Sequence, residues 1–317
     1  MGKRQAKGRA LDGILLVDKP AGLTSNGVLQ RVKRLYGAAK AGHTGALDPL
    51  ATGMLPITFG EATKFSQFLL DADKRYLTTA KLGIRTATSD ADGEVVEQRE
   101  VPADLDSTRI EALLEQHFLG EIEQVPSMYS ALKHQGQPLY KLARKGVQVE
   151  VKPRRVTIYE IRMTALRGDE IDLDIRCSKG TYIRSIVEDL GQLLGCGAHV
   201  QMLRRLDSGP YTADMMIGLE QLQLLAEPAS AAEDEKSIQA RLDALLLPVT
   251  SALEDLPSVE LDAVQTQRVL QGQRLALQGV APVELTKIFE RDSGRFLGIA
   301  EISDDGVLRP RRLLATA

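Results

Sequence analysis

Cysteine is scarce in this 317-residue sequence, with Cys177 and Cys196 as its two thiols. Two are too few for a disulfide framework or a cysteine-rich zinc site, which suits a reducing cytoplasm with both thiols buried and free. Histidine is nearly as rare, four residues at 43, 117, 134 and 199, so a histidine-built metal cluster is not expected. Long apolar runs are missing too. Nothing approaches the roughly 20 residues a membrane helix needs. After the basic start (Lys3, Arg4, Lys7, Arg9) only Gly13 to Val17 is apolar, too short for a signal peptide. The chain also lacks Gly-x-x-x-x-Gly-Lys, Gly-x-Gly-x-x-Gly, His-Glu-x-x-His and Gly-x-Ser-x-Gly, which weakens the common nucleotide, zinc and hydrolase readings.

Net positive charge is absent as well: the formal balance is -3, which argues against a nucleic-acid partner if only the total is considered. The distribution says more. Residues 90–123 hold eleven acids against two bases, and residues 220–260 nine against two, whereas residues 133–155 hold seven bases and one acid. A basic segment between acidic ones makes a local positive face whatever the total, although a solvated helix face has the same composition.

What is present reads as mixed α and β. Gly13 to Val17 is a buried strand running into the turn Asp18-Lys19-Pro20-Ala21-Gly22. Ser25 is expected to cap a helix carrying Val28, Leu29, Val32, Leu35 and Tyr36, stopped at Gly37. Leu55 to Phe59 predicts a strand, Ala62 to Leu70 a helix, and Tyr76 to Leu82 a strand. Ser107 to Phe118 predicts a helix. Val156 to Leu166 and Glu170 to Ser178 alternate like an antiparallel hairpin turning at Arg167-Gly168-Asp169, and Thr181 to Leu194 follows as an amphipathic helix. Leu139, Leu142 and Ala143 set against Lys141, Arg144 and Lys145 predict a short basic helix in a lobe inserted between sheet segments. Glu220 to Leu247 reads as helix with a looser connector at 228–234. Val249 to Pro257 reads as a linker to a small β-rich domain.

The candidate for chemistry is Asp48 in Gly42-His43-Thr44-Gly45-Ala46-Leu47-Asp48-Pro49-Leu50-Ala51-Thr52-Gly53. Small neighbours leave room for a ligand backbone, and Pro49 biases Asp48 away from helix. An Asp-Pro in a Gly-rich loop is also an ordinary turn or cap. Three ordered stretches decide between these uses: Val17 to Ser25 (VDKPAGLTS), Gly42 to Leu55 (GHTGALDPLATGML), and Lys179 to Ser185 (KGTYIRS). Together they resemble the motifs of the pseudouridine synthases, and in detail the bacterial tRNA pseudouridine synthase B family. The likeness spans nearly the whole chain and is firmest before about residue 210.

The resemblance implies that Asp48 is the essential aspartate, Arg184 the arginine that pairs with it, and Tyr76 the aromatic that stacks on the target base. It further implies that His43, Tyr182 and Leu203 contact substrate. The implied fold is α+β: a catalytic domain over 1–250, built on a long, mostly antiparallel mixed sheet with flanking helices. An RNA-clasping lobe at about 124–153 and a small PUA-like β-barrel over 251–317 complete it. The implied substrate is the uridine at position 55 in the T loop of tRNA, acted on in the cytoplasm without an obligate protein partner.

Isomerising uridine to its C-linked form breaks the N1–C1′ bond, turns the uracil and rejoins it at C5. No group is added and no oxidation state changes, so no cofactor or metal is required. A carboxylate can attack C1′ or C6, or take a proton from the sugar, and an adjacent arginine favours its ionised form. The base must leave its stack, and Tyr76 and Tyr182 are plausible supports. Three other readings stand beside this one: a non-catalytic RNA-binding module, a synthase directed by a guide RNA, and a carboxylate-pair hydrolase with Glu61 as second acid. Tyr76 and Leu203 have plain uses as core side chains, Arg184 as a helix-surface cation, and His43 as a turn residue.

Overall fold

The computed structural model describes residues 8–315 apart from 131, 144, 148 and 231. In chain order its first half runs β1 (Gly13–Lys19), α1 (Ser25–Leu35), β2 (Ala41–His43), β3 (Thr52–Phe59), α2 (Ser66–Asp71), β4 (Lys74–Leu82), β5 (Ile84–Thr86), β6 (Val95–Gln98), α3 (Ser107–His117) and β7 (Gly120–Gln124). The second half runs β8 (Lys133–His134), β9 (Gln137–Pro138), α4 (Leu139–Ala143), β10 (Arg154–Arg167), β11 (Glu170–Cys177), α5 (Ile183–Leu193), β12 (Ala198–Ser208), β13 (Ile217–Gly218), α6 (Leu219–Leu225) and α7 (Glu235–Asp243). A C-terminal unit holds β14 (Ser258–Leu261), α8 (Ala263–Leu270), β15 (Leu275–Ala276), β16 (Val283–Glu290), β17 (Phe296–Ile302) and β18 (Val307–Leu313).

The expected α+β architecture is present. One nine-stranded mixed sheet runs β13-β1-β3-β12-β4-β11-β10-β7, with β2 paired to β3 off that path. Most neighbours are antiparallel; β1 with β13 and β3 with β12 are parallel. Apolar runs sit where both faces are covered. In β1, Leu15 and Val17 face the cluster of α1, α6 and α7, while Ile14 and Leu16 face Phe65, Leu69 and Leu253. The alternating pattern of β11 buries Ile171, Leu173, Ile175 and Cys177 completely against Ile183, Ile186, Val187 and Leu190 of α5 and Ile110 and Leu114 of α3. Each such side chain contributes about 1.5–3 kcal/mol by leaving water.

Two registers at the centre of the sheet prepare the site. Strand β12 lies between β3 and β4, so Arg205 is opposite Gly53 on one side and Tyr76 on the other, and Leu203 is opposite Thr78. Gly53 has φ +96°, and a Cβ there would fall 2.1 Å from the Arg205 carbonyl oxygen. Only glycine lets the two strands come this close.

Several local expectations are corrected. Thr24, not Ser25, caps α1, accepting from the Gly27 amide at 3.0 Å; Ser25 is drawn inward to the Leu47 backbone instead. The Ala62–Leu70 helix is a 3-10 stretch over Gly60–Phe65 followed by α2. The acidic stretch, by contrast, divides as expected into α6 and α7 on either side of the 228–234 connector. Val249 to Pro257 is no loose linker: Val249, Ala252 and Leu253 are buried with Phe65, Leu69 and Ile299.

The basic segment leaves the sheet at Gln124 and rejoins it at Arg154, which are register partners across β7 and β10. Between them lie the small β8–β9 hairpin and α4. In the C-terminal unit the order is β14-β16-β17-β18-β15. Helix α8, started by the Asp262–Gln265 capping box, packs against both end strands of this sheet. Among the described residues, no helix is long and apolar enough to cross a membrane.

Candidate active site

Asp48 lies on the loop joining β2 to β3, and that loop is held from several directions. Ser25 Oγ donates to the Leu47 carbonyl at 3.0 Å and accepts from the Leu47 amide at 2.7 Å. The Gly22 amide donates to the Pro49 carbonyl at 2.8 Å. Lys19, with no exposed surface, donates to the carbonyls of Pro20, Pro49 and Ala51 at 2.9, 3.1 and 2.6 Å. Burial pushes its ammonium down to about 8, against the opposing pull of Asp48 and Asp92. The first of the three ordered motifs therefore builds the seat of the second. Lysine suits this position because a point charge with three donors can meet three carbonyls.

Arg184 enters from the first turn of α5, 5% exposed. Its Nε is 3.1 Å from Asp48 Oδ2, and its Nη1 is 3.7 Å from Asp90 Oδ2. Nη1 also donates to the Thr88 carbonyl at 2.9 Å and Nη2 to the Tyr129 carbonyl at 3.0 Å. The fork is thus fixed before any ligand arrives. The Asp48 side chain keeps 38% of its surface open. Its pKa is nonetheless raised from the ordinary value, because desolvation, with Asp90 and Asp92, outweighs Arg184 and Lys19. Arg184 acts in the expected direction, but burial dominates.

Asp48, Tyr76, Tyr182, Arg184 and Leu203 line one cleft of about 270 Å³, together with Lys74, Ser178 and Arg205. Tyr76 comes from β4, and desolvation raises its phenol. Tyr182 stands just before α5, its backbone amide and carbonyl bound to the side chain of Gln124 at 2.9 and 3.1 Å. The cleft mouth is thereby tied to the point where the inserted segment leaves the sheet. His43 ends β2 and is not among the cleft-lining residues. It is half-buried, its Nδ1 has no hydrogen-bond partner, and desolvation lowers its pKa. Lys141 and Lys145 are exposed on the inserted segment; Arg144 lies outside the described residues.

Residue-by-residue reading of the sequence assigned no role to Lys19, Asp90, Gln124 or Arg205. Lys19 could have been suspected from its place between an apolar strand and a Pro-Ala-Gly turn. The others are brought in by pairings distant in sequence. Glu61 is not a second acid beside Asp48: it binds Lys64 at 2.5 Å and the Ala315 amide at 2.5 Å, against the C-terminal unit. A larger cleft of about 640 Å³ lies between residues 63–70 and the C-terminal sheet, lined by Lys64, Arg311 and Arg312. It contains none of the Asp48 cluster, which lies wholly in the smaller cleft. Among the described residues no group of acids, cysteines and histidines could hold a metal ion.

Residues 33–183 match the TruB family pseudouridylate synthase N-terminal domain, residues 184–254 the tRNA pseudouridylate synthase B C-terminal domain, and residues 257–314 the pseudouridine synthase II TruB C-terminal region. The tRNA pseudouridine synthase B of Shewanella sp. strain MR-7 is 53% identical over 311 residues, 98% of this chain and 96% of that one. The chain belongs to the TruB family. The enzyme of the same name from Vibrio campbellii is 53% identical, covering 98% of both chains, and that from Yersinia enterocolitica 52%, covering 99% and 94%. In this TruB-family chain the site straddles two family segments, with Asp48, Tyr76 and Tyr182 in the first and Arg184, Leu203 and Arg205 in the second.

Solved structures share the fold. A chain of an H/ACA RNP bound to a substrate RNA containing 2′-deoxyuridine aligns with TM-score 0.71 at 22% identity, covering 99% of this chain and 92% of that one. A chain of a Cbf5-Nop10-Gar1 complex aligns with TM-score 0.69 at 24% identity, covering 95% and 84%. At these identities the likeness is one of fold.

Proposed function

We propose that this chain isomerises uridine to pseudouridine at position 55 in the T loop of tRNA, without a cofactor and as a stand-alone protein in the cytoplasm. The observation that carries the reading is the Asp48–Arg184 pair in a cleft it lines together with Tyr76, Tyr182 and Leu203. A flipped uridine entering that cleft replaces lost base stacking with contact to aromatic and apolar walls. Asp48 then supplies the carboxylate, adding to C1′ or C6 or taking a sugar proton. Arg184, pinned by two backbone carbonyls, orients it and favours its charge. After N1–C1′ cleavage the uracil turns, C5 bonds to C1′, the C5 proton leaves and N1 gains one, so atoms balance with no added group.

The inserted basic segment and the C-terminal PUA-like unit are assigned to RNA binding, with domains over 1–250 and 251–317. Identity above 50% to proteins named tRNA pseudouridine synthase B, against 22–24% for chains of the H/ACA RNP and the Cbf5-Nop10-Gar1 complex, favours direct tRNA recognition.

The test is Asp48→Asn, assayed with purified protein and a T stem-loop transcript. Pseudouridine formation is lost while RNA binding is retained. Wild-type turnover by that variant would remove Asp48 from the chemistry. Inactivity of the pure wild-type chain on tRNA would return the guide-RNA reading.

A further inference from the structure

Strand β12 carries adjacent arginines in opposite circumstances. Arg204 meets a carboxylate, donating to both oxygens of Asp18 at 2.9 and 2.7 Å. Arg205 is 2% exposed and among the largest fully buried side chains, and it forms no carboxylate pair among the described residues. A buried guanidinium without a counter-ion is costly unless its donors are satisfied, so its partners reveal what it does. Nε donates to the Met54 carbonyl at 2.7 Å and Nη2 to the Gly45 carbonyl at 3.0 Å. Across the β12–β4 pairing its register partner is Tyr76, and both residues line the Asp48 cleft.

Gly45 and Met54 bracket the loop that presents Asp48, and Tyr76 is the residue assigned to the flipped base. Arg205 therefore holds both sides of the catalytic loop through one planar group, with the stacking residue opposite it on β4. The fit is tight on the loop side, where a Cβ on Gly45 would stand 3.2 Å from Arg205 Nη1. Lys74 lines the same cleft but is spent elsewhere, donating to the carbonyls of Leu69, Leu70 and Ala72 at the end of α2.

We propose that Arg205 is a positioning residue that sets the Asp48 carboxylate against the Tyr76 ring, holding both ends of the loop on one rigid fork that lies opposite Tyr76 in the sheet. This rests on the function proposed above. A lysine at 205 keeps the charge but cannot hold the two carbonyls with a fixed plane. A displacement on the order of 1 Å between reacting groups costs about 100-fold in rate.

The experiment uses the full chain and a T stem-loop transcript, with single-turnover rates and RNA affinity measured for Arg205→Lys and Gly45→Ala. Arg205→Lys is expected to lose about 100-fold in rate with unchanged affinity. In Gly45→Ala the added Cβ crowds Arg205 Nη1 and shifts the loop on the fork, so the rate falls in the same sense. Arg205→Lys at the wild-type rate, or a loss of affinity at an unaltered rate, overturns the proposal. Should Arg205→Lys fail to fold, Gly45→Ala decides: a wild-type rate there overturns it, and a slower rate at unchanged affinity supports it. Failure of the broader reading is separate and shows as turnover by Asp48→Asn.

Discussion

Arg184 Nε stands 3.1 Å from Asp48 Oδ2, and the same guanidinium is anchored by the carbonyls of Thr88 and Tyr129. The arginine therefore arrives at the carboxylate already oriented. Lysine at this position keeps the charge but loses the planar fork. Arg184→Lys is expected to lose on the order of 100-fold in single-turnover rate, with RNA affinity nearly unchanged. A large loss of affinity at an unaltered rate would assign the arginine to substrate binding instead.

The acidic limb of the rate profile follows from Asp48. Its pKa is raised, chiefly by desolvation, and the proposed reaction needs its charged form. The rate should therefore fall, as pH drops, at a pH above that of an exposed aspartate. Asp90 raises and Lys19 lowers the Asp48 value. Asp90→Asn is thus expected to move the limb to lower pH and Lys19→Met to higher pH. Rate profiles of the three proteins check this, and limbs that coincide contradict it.

Lys19 also links stability to pH. Its pKa is about 8 in the fold, against the ordinary 10.5 of a lysine in an open chain. Between those values the unfolded chain binds more protons than the folded one, so stability rises with pH across that window. Lys74, likewise lowered to about 8, adds to the rise. Lys19→Met leaves the carbonyls of Pro20, Pro49 and Ala51 without their donor. The expected cost is about 1–3 kcal/mol for a group left unsatisfied, with a shallower rise above the folded-state value of about 8. Denaturant unfolding across that range measures both, and an unchanged slope would mean Lys19 is not the titrating group.

The inserted segment predicts a salt effect. Lys141 and Lys145 are exposed there, and with Arg144 they supply three positive charges to neutralise phosphates. Replacing all three by glutamine should weaken tRNA binding and flatten its dependence on salt by a slope of up to about 2–3. A slope equal to wild type would make this segment an ordinary solvated surface.

Thr24 and Ser25 mark the limit of what local pattern can decide. Both are good capping residues, and their order along the chain does not say which one faces outward. The fold chose Thr24 because the Ser25 hydroxyl is needed by Leu47, 22 residues away. The same limit produced a linker where Val249 and Leu253 are buried.

By itself the sequence determined the family, the α+β class, the β10–β11 hairpin and the presence of Asp48 on a special loop. Those are carried by contiguous motifs and by alternation whose period is local. Only the tertiary structure decided that Lys19 holds the Asp48 loop, that Arg184 faces Asp90 as well as Asp48, that His43 stands outside the cleft lining, and that Arg205 clasps both ends of the loop. Each depends on strand register or on burial, which are properties of pairings between distant segments. No stretch of chain read alone contains them.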